Sequence, residues 1–175
     1  MKILVTGSHG VGKSTLSFLL AAHLKLKYRD KSVKVIEESI RDVSKIFNGV
    51  LNTPEFQKYV ILDSICNEIK QKQSHQIVIC DRTSIDPLVY GMMFGVALSK
   101  EFVDIAVNNL NTFTNIVYIK PDNTPIVDDG FRMLNVDERN TIDEQFNSLL
   151  QSWGGKYKVI STSDVESIDC EELLR

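Results

Sequence analysis

The chain has 175 residues, 43% of them apolar and 25% charged, and a net charge of −3, which is the profile of one globular domain spanning 1–175 rather than of a disordered or fibrous chain. Mild acidity with scattered basic residues argues against a dedicated duplex-DNA binder, which carries a basic stripe. Three widely spaced cysteines with no CxxC or Cys/His cluster exclude a disulfide scaffold and structural zinc and point to a reducing cytoplasm; the apolar start is too short for a signal peptide, and no run approaches the ~18 apolar residues of a membrane span.

In chain order, "KILVTG" (2–7) reads as a buried strand feeding a glycine loop. A helix of about 17 residues follows, with Leu16, Leu19, Leu20 and Leu24 on one face. "SVKVIEE" (32–38) reads as a second strand ending in two carboxylates, and "ESIRDVSKIFNG" as a short helix stopped near Gly49. Thr53 and Pro54 open a long helix as N-cap and first-turn residues, with Val60, Ile61, Ile65 and Ile69 at helical spacing. "QIVICDR" (76–82) is the strongest buried-strand signal. Helices are predicted around 86–95 and 99–110, and a strand at "NIVYIKP" (115–121). A polar irregular stretch, "DNTPIVDDGFRMLN" (122–135), precedes a helix over 136–153 ended by Gly154-Gly155. The last strand is "YKVIST" (157–162), with a short terminal helix after it. Five nearly all-apolar strands interleaved with helices predict a doubly wound α/β domain: a mainly parallel five-stranded sheet with helices on both faces and ligands at the carboxyl ends of the strands.

The segment "GSHGVGKST" (7–15) matches G-x-x-x-x-G-K-[ST] in the required context, strand before and helix after. Gly7, Gly10 and Gly12 let the backbone N–H groups turn inward onto phosphate oxygens, with Val11 and Thr15 completing the cradle. Lys13 is expected at the β- and γ-phosphates, and Ser14 as a ligand of Mg²⁺. His9 sits at a variable loop position and reads as solvent-facing, although it belongs to the same nucleotide-binding stretch. The motif does not identify the base, and ATP is preferred to GTP on frequency alone.

Carboxylates stand at two further strand ends. Of Glu37 and Glu38, one is expected to face the γ-phosphate, Glu37 ahead of Glu38, either accepting a proton from an attacking hydroxyl or holding Mg²⁺ through water. Arg41, one turn on, is placed to face the same cleft or solvent. Asp81 ends an apolar strand, as the acid of a Walker B segment does, and is assigned to Mg²⁺. Arg82 is assigned to a substrate phosphate or ribose oxygen. Asp86 is either a helix N-cap ahead of Pro87 or a substrate contact, and Tyr90 reads as core. Finally, "DDGFRMLNVDER" carries Arg132 and Arg139 in a candidate lid over about 122–139, whose closure would bring positive charge to the transferring phosphoryl group.

Taken in order, "GSHGVGKST", "EESIR", "DRTSID" and "DDGFR" resemble the set found in small P-loop kinases of nucleosides and nucleotides, above all the ribosylnicotinamide-kinase-like group of AAA-type domains. The resemblance covers about residues 3–162. It implies that Asp81 and Glu37 serve Mg²⁺ or the acceptor hydroxyl, that Arg82 serves the substrate, and that Arg132 and Arg139 form the lid. It also implies Mg-ATP as donor and a nucleoside or nucleotide-like acceptor; standalone members of such groups that act on modified bases in viral DNA keep a DNA acceptor open. Three alternatives remain beside the nucleoside-type kinase. One is a nucleoside monophosphate kinase using Arg41 and Arg82. Another is a DNA-hydroxyl kinase with Lys45, Lys58, Lys70 and Lys72 along a groove. The last is a nucleotide-dependent switch with no acceptor.

Overall fold

The structure is a computed structural model that describes residues 1–37, 40–122 and 135–175. Strands β1 (Lys2–Thr6), β2 (Val33–Ile36), β3 (Ile77–Asp81), β4 (Asn115–Lys120) and β5 (Lys158–Ser161) form one sheet in the order β2-β3-β1-β4-β5. Each neighbouring pair is parallel. Alternation along the strands builds two core layers, because successive side chains leave opposite faces of the sheet. Ile3, Val5, Ile79 and Ile119 pack on one side with Leu16, Leu20 and Leu24 of helix α1 (Lys13–Lys27). Leu4, Val78, Cys80 and Tyr118 pack on the other with helices α4 (Ile85–Met93) and α6 (Val136–Trp153). Burial pushes the Cys80 thiol far above its ordinary value, so this cysteine behaves as a small apolar core residue.

Helix α3 (Pro54–Ser74) packs beside β2 and β3, and α2 (Ile40–Ile46) packs on α3 through Val43, Phe56 and Val60. The Thr53 hydroxyl accepts from Phe56 N at 3.2 Å and Pro54 fills the first turn, as the sequence predicts. Helix α5 (Lys100–Asn108) and the short α7 (Cys170–Leu173) complete the layers. Among the described residues no helix is long and apolar enough to cross a membrane.

Two expected core positions move outward. Leu19 is 39% exposed, because the buried stripe of α1 runs through Leu16, Ser17, Leu20 and Leu24 and leaves Leu19 at its edge. Ile69 is 55% exposed, because the face of α3 turned inward carries Phe56, Gln57, Val60, Ile61 and Glu68. A carboxylate therefore occupies a core position that apolar periodicity had assigned to isoleucine.

Candidate active site

The loop after β1 climbs over the sheet edge between β1's neighbours β3 and β4, the crevice where doubly wound sheets hold ligands. Its glycines are needed for their backbone. Gly7 has φ 144°, and a Cβ there would stand 2.4 Å from the carbonyl oxygen of Ile119 on β4. Gly12 has φ 88° at the start of α1, and a Cβ there would press on Val165. Lys13 is buried and donates to Ser8 O at 2.5 Å across the loop. His9 is only 4% exposed, so the expectation of a solvent-facing histidine is corrected: this loop position is buried.

Asp81 closes β3 and is buried beside α1's first turn, where Ser14 Oγ donates to its Oδ2 at 2.5 Å. Its second oxygen, Oδ1, is buried with no hydrogen-bond partner among the described residues. A buried carboxylate oxygen without a donor is costly, and the pair of hard oxygens fits Mg²⁺, which binds through one or two protein oxygens and takes the rest of its shell from water and phosphate. The described residues contain no group of three or more His, Cys, Asp or Glu suited to hold a metal by themselves.

Beyond Asp81 the chain reverses sharply. Arg82 takes φ 79°, while its N–H still reaches Val5 O at 3.0 Å and continues the strand ladder. The Asp86 carboxylate folds back over the turn: Oδ2 accepts from Thr83 N at 3.0 Å and Oδ1 lies 3.7 Å from Arg82 Nη1. The expectation of Asp86 as the helix N-cap is corrected: Ser84 holds the cap position, and Asp86 lies inside α4's first turn with its carboxylate bracing the turn before the helix. The Arg82 guanidinium lies 5.4 Å from the Tyr90 ring centre. Tyr90 is half-buried and both packs on the core and faces the cleft, where only the first had been expected.

These residues wall a cleft of about 550 Å³, its open mouth included, between the end of β2, one face of α3 and the β3–α4 turn. Glu37 stands at its rim, exposed, and Asp81, Arg82 and Asp86 lie at its inner end. The structure thus brings together Lys13, Ser14 and Asp81 at the phosphate loop, and Glu37, Arg82 and Asp86 around the adjoining cleft. Glu38 and Arg132 lie outside the described residues, as does the side chain of Arg41, whose backbone belongs to α2. Arg139 is buried in the first turn of α6 and donates from Nη2 to Asp122 O at 2.9 Å, joining the two ends of the candidate lid.

Sequence reasoning missed the residues behind the turn. Thr83 Oγ1 donates to Glu68 Oε1 at 2.5 Å, Asn109 Nδ2 donates to Glu68 Oε2 at 2.9 Å, and Lys2 Nζ lies 2.7 Å from the same oxygen. The available signal was Glu68 itself, a charge at i+7 from Ile61 on the apolar stripe of α3. Gln57 was missed likewise; it is buried in the cleft wall with Nε2 donating to Leu51 O at 2.8 Å.

A family model described as an AAA domain matches residues 2–167. No curated protein matches the chain. Among solved structures, the fold is similar to that of the NadR protein in complex with NR, with a TM-score of 0.66 and 22% identity over 91% of this chain and 43% of that one. It is also similar to YorR from Bacillus subtilis in complex with phosphorylated GDP, with a TM-score of 0.63 and 16% identity over 99% and 94%. A third likeness is to deoxyadenosine kinase from M. mycoides with dCMP and dCDP bound, with a TM-score of 0.57 and 16% identity over 99% and 95%.

Proposed function

The chain belongs to the AAA-domain family, and from that premise we propose that it is a Mg-ATP-dependent kinase transferring the γ-phosphate to a hydroxyl of a nucleoside or nucleotide-like substrate. The observation that carries this reading is the continuity of the site. Asp81, which binds Ser14 of the phosphate loop, is also a wall of the cleft lined by Glu37 and Arg82. A nucleotide switch needs the first half only; a cleft opening from the same carboxylate is what a second substrate requires.

In this reading the loop N–H groups and Lys13 hold the triphosphate and neutralise charge as it develops on the transferring group. Ser14 Oγ and Asp81 would hold Mg²⁺, which when bound neutralises phosphate charge. Glu37 takes the proton of the acceptor hydroxyl as oxygen attacks the γ-phosphorus, and ADP leaves from the opposite side. Arg82, stacked near Tyr90, grips an acceptor oxygen and fixes the line of attack. Arg132 and Arg139 are assigned to the transferring phosphoryl group as the arginines of the lid segment.

The charge of the cleft favours a small acceptor that is neutral at the reacting end. Among its described lining residues Glu37, Glu68, Asp81 and Asp86 are acids, and Arg82 is the one cation. A DNA groove gains little support from the lysines: Lys45 pairs with Asp42 at 2.7 Å and Lys58 lies over the Phe102 ring. Fold neighbours that include a deoxyadenosine kinase point the same way. The test is transfer of labelled γ-phosphate to a panel of nucleosides, nucleoside monophosphates and oligonucleotides with ordinary or hydroxymethylated bases. Label on a nucleoside is expected. Label only on oligonucleotide would move the reading to a DNA kinase, and release of free phosphate alone would leave a switch.

A further inference from the structure

We propose that Glu68, paired with Lys2, is a positioning residue for the acceptor side of the site, acting through Thr83 to hold the turn that carries Arg82 and Asp86. The assignment rests on the kinase reading for its consequence, but on the geometry of one buried network for its mechanism.

Glu68 is 2% exposed, yet it lies in the wall of the cleft. Both oxygens are used. Oε1 accepts from Thr83 Oγ1; Oε2 faces Asn109 Nδ2 and Lys2 Nζ. Lys2 is itself buried, donates to Thr112 Oγ1 at 2.6 Å and sits 4.1 Å over the Phe113 ring. Asn109 Nδ2 also reaches Thr83 Oγ1 and Ser84 Oγ, each at 3.1 Å, and Ser84 Oγ donates to Ala106 O at 2.9 Å. Lys2 Nζ and Asn109 Nδ2 can only donate, and both meet Oε2, while the Thr83 hydroxyl donates to Oε1; a carboxylate accepts from all three and offsets the Lys2 charge. Two charges this deep are tolerated because each compensates the other.

The turn in front of the network explains its cost. Arg82 holds φ 79°, a left-handed conformation that a residue with a side chain keeps only when its surroundings over-determine it. From the strand side, Arg82 N is tied to Val5 O. From the helix side, Thr83 N is tied to Asp86. A further tie is the Thr83 hydroxyl, which donates to Glu68 and accepts from Asn109. Releasing that bond frees the turn to relax toward an ordinary backbone. Arg82 and Asp86 then move with it, whereas Lys13 and Ser14, carried by the first turn of α1, stay in place.

Thr83→Val in the full chain removes the hydroxyl at nearly constant volume and leaves Glu68 with Lys2 and Asn109; Thr83→Ser restores the donor. Acceptor KM is expected to rise roughly tenfold or more in the valine variant, since small misplacements near reacting groups cost up to about a hundredfold, while binding of a fluorescent ATP analogue with Mg²⁺ changes by less than about twofold. The serine variant should return acceptor KM toward wild type. Backbone NMR couplings of Arg82 supply a readout independent of turnover: its positive φ should be lost or averaged in Thr83→Val. Wild-type acceptor KM with Arg82 unchanged would overturn the proposal, as would equal loss in the valine and serine variants or equal loss of acceptor and ATP binding. If the wild-type chain phosphorylates no acceptor, the kinase reading falls, and the Arg82 couplings alone decide whether Glu68 holds the turn.

Discussion

After β1 the chain turns through Gly7, Gly10 and Gly12, with φ values of 144°, 75° and 88°; after the adjacent β3 it turns through Arg82, with φ 79° and a full side chain. Both turns stand at the carboxyl edge of the same sheet, and they reach unusual backbone angles by different means. The first uses residues that lack a Cβ, so its geometry is local and it offers backbone N–H groups to a ligand. The second keeps a side chain where it is conformationally costly and holds it with Val5, Asp86, Glu68 and Asn109. Backbone N–H groups of a glycine loop suit a phosphate group, whose oxygens accept from any inward-facing donor. A side chain held at a left-handed backbone angle requires support from the tertiary structure, and in the proposed reading that support sets the arginine against the acceptor.

The sharpest way to test this division is to break each side separately. Lys13→Ala should lower turnover by on the order of a thousandfold, as loss of a principal charge-stabilising donor does, with the fold intact by thermal melting; near-normal turnover would remove the phosphate-loop assignment. On the acceptor side, Glu37→Gln should lower kcat by about a hundredfold or more, the scale of general-base catalysis, without weakening ATP binding. Parallel loss of both in a binding and turnover comparison would make Glu37 a structural carboxylate.

Gly7→Ala probes the backbone half. A Cβ at 2.4 Å from Ile119 O with a strained φ should cost about 3 kcal/mol or more and lower Tm by roughly 6–12 °C; an unchanged Tm would show that the loop relaxes freely. The smallest effect on stability is expected at Arg82→Gly. Relief of the left-handed strain, about 1 kcal/mol, offsets the lost side-chain contacts. Acceptor kcat/KM should nonetheless fall about 10- to 100-fold, the worth of a charge-assisted hydrogen bond. A large drop in Tm with acceptor kinetics intact would place Arg82 in the fold instead of the site.

Most of the architecture was legible in the chain. The five strands, the Thr53-Pro54 helix start and the glycine-stopped ends at Gly49 and Gly154 are local signals, and they appear where the residues place them. Leu19 and Ile69 misled because apolar spacing marks a stripe without saying which flank the sheet covers. His9 misled because exposure of a loop residue depends on how the loop closes. At the site, Lys13, Ser14 and Asp81 were legible because two short motifs at the ends of neighbouring strands carry them. Lys2, Glu68, Thr83 and Asn109 were not, since no two of the four share a motif and their bonds span 15 to 41 residues or more.

The sequence by itself determined the sheet, the phosphate loop and the acids at the strand ends, because strand alternation, glycine backbone freedom and helix starts act over a few consecutive residues. Only the tertiary structure decided that Glu68 enters the core beside Lys2, that Arg82 is held left-handed, and that Arg139 closes the neck at Asp122. Those outcomes depend on buried charges and donors finding one another across elements, and no short window of sequence contains both partners.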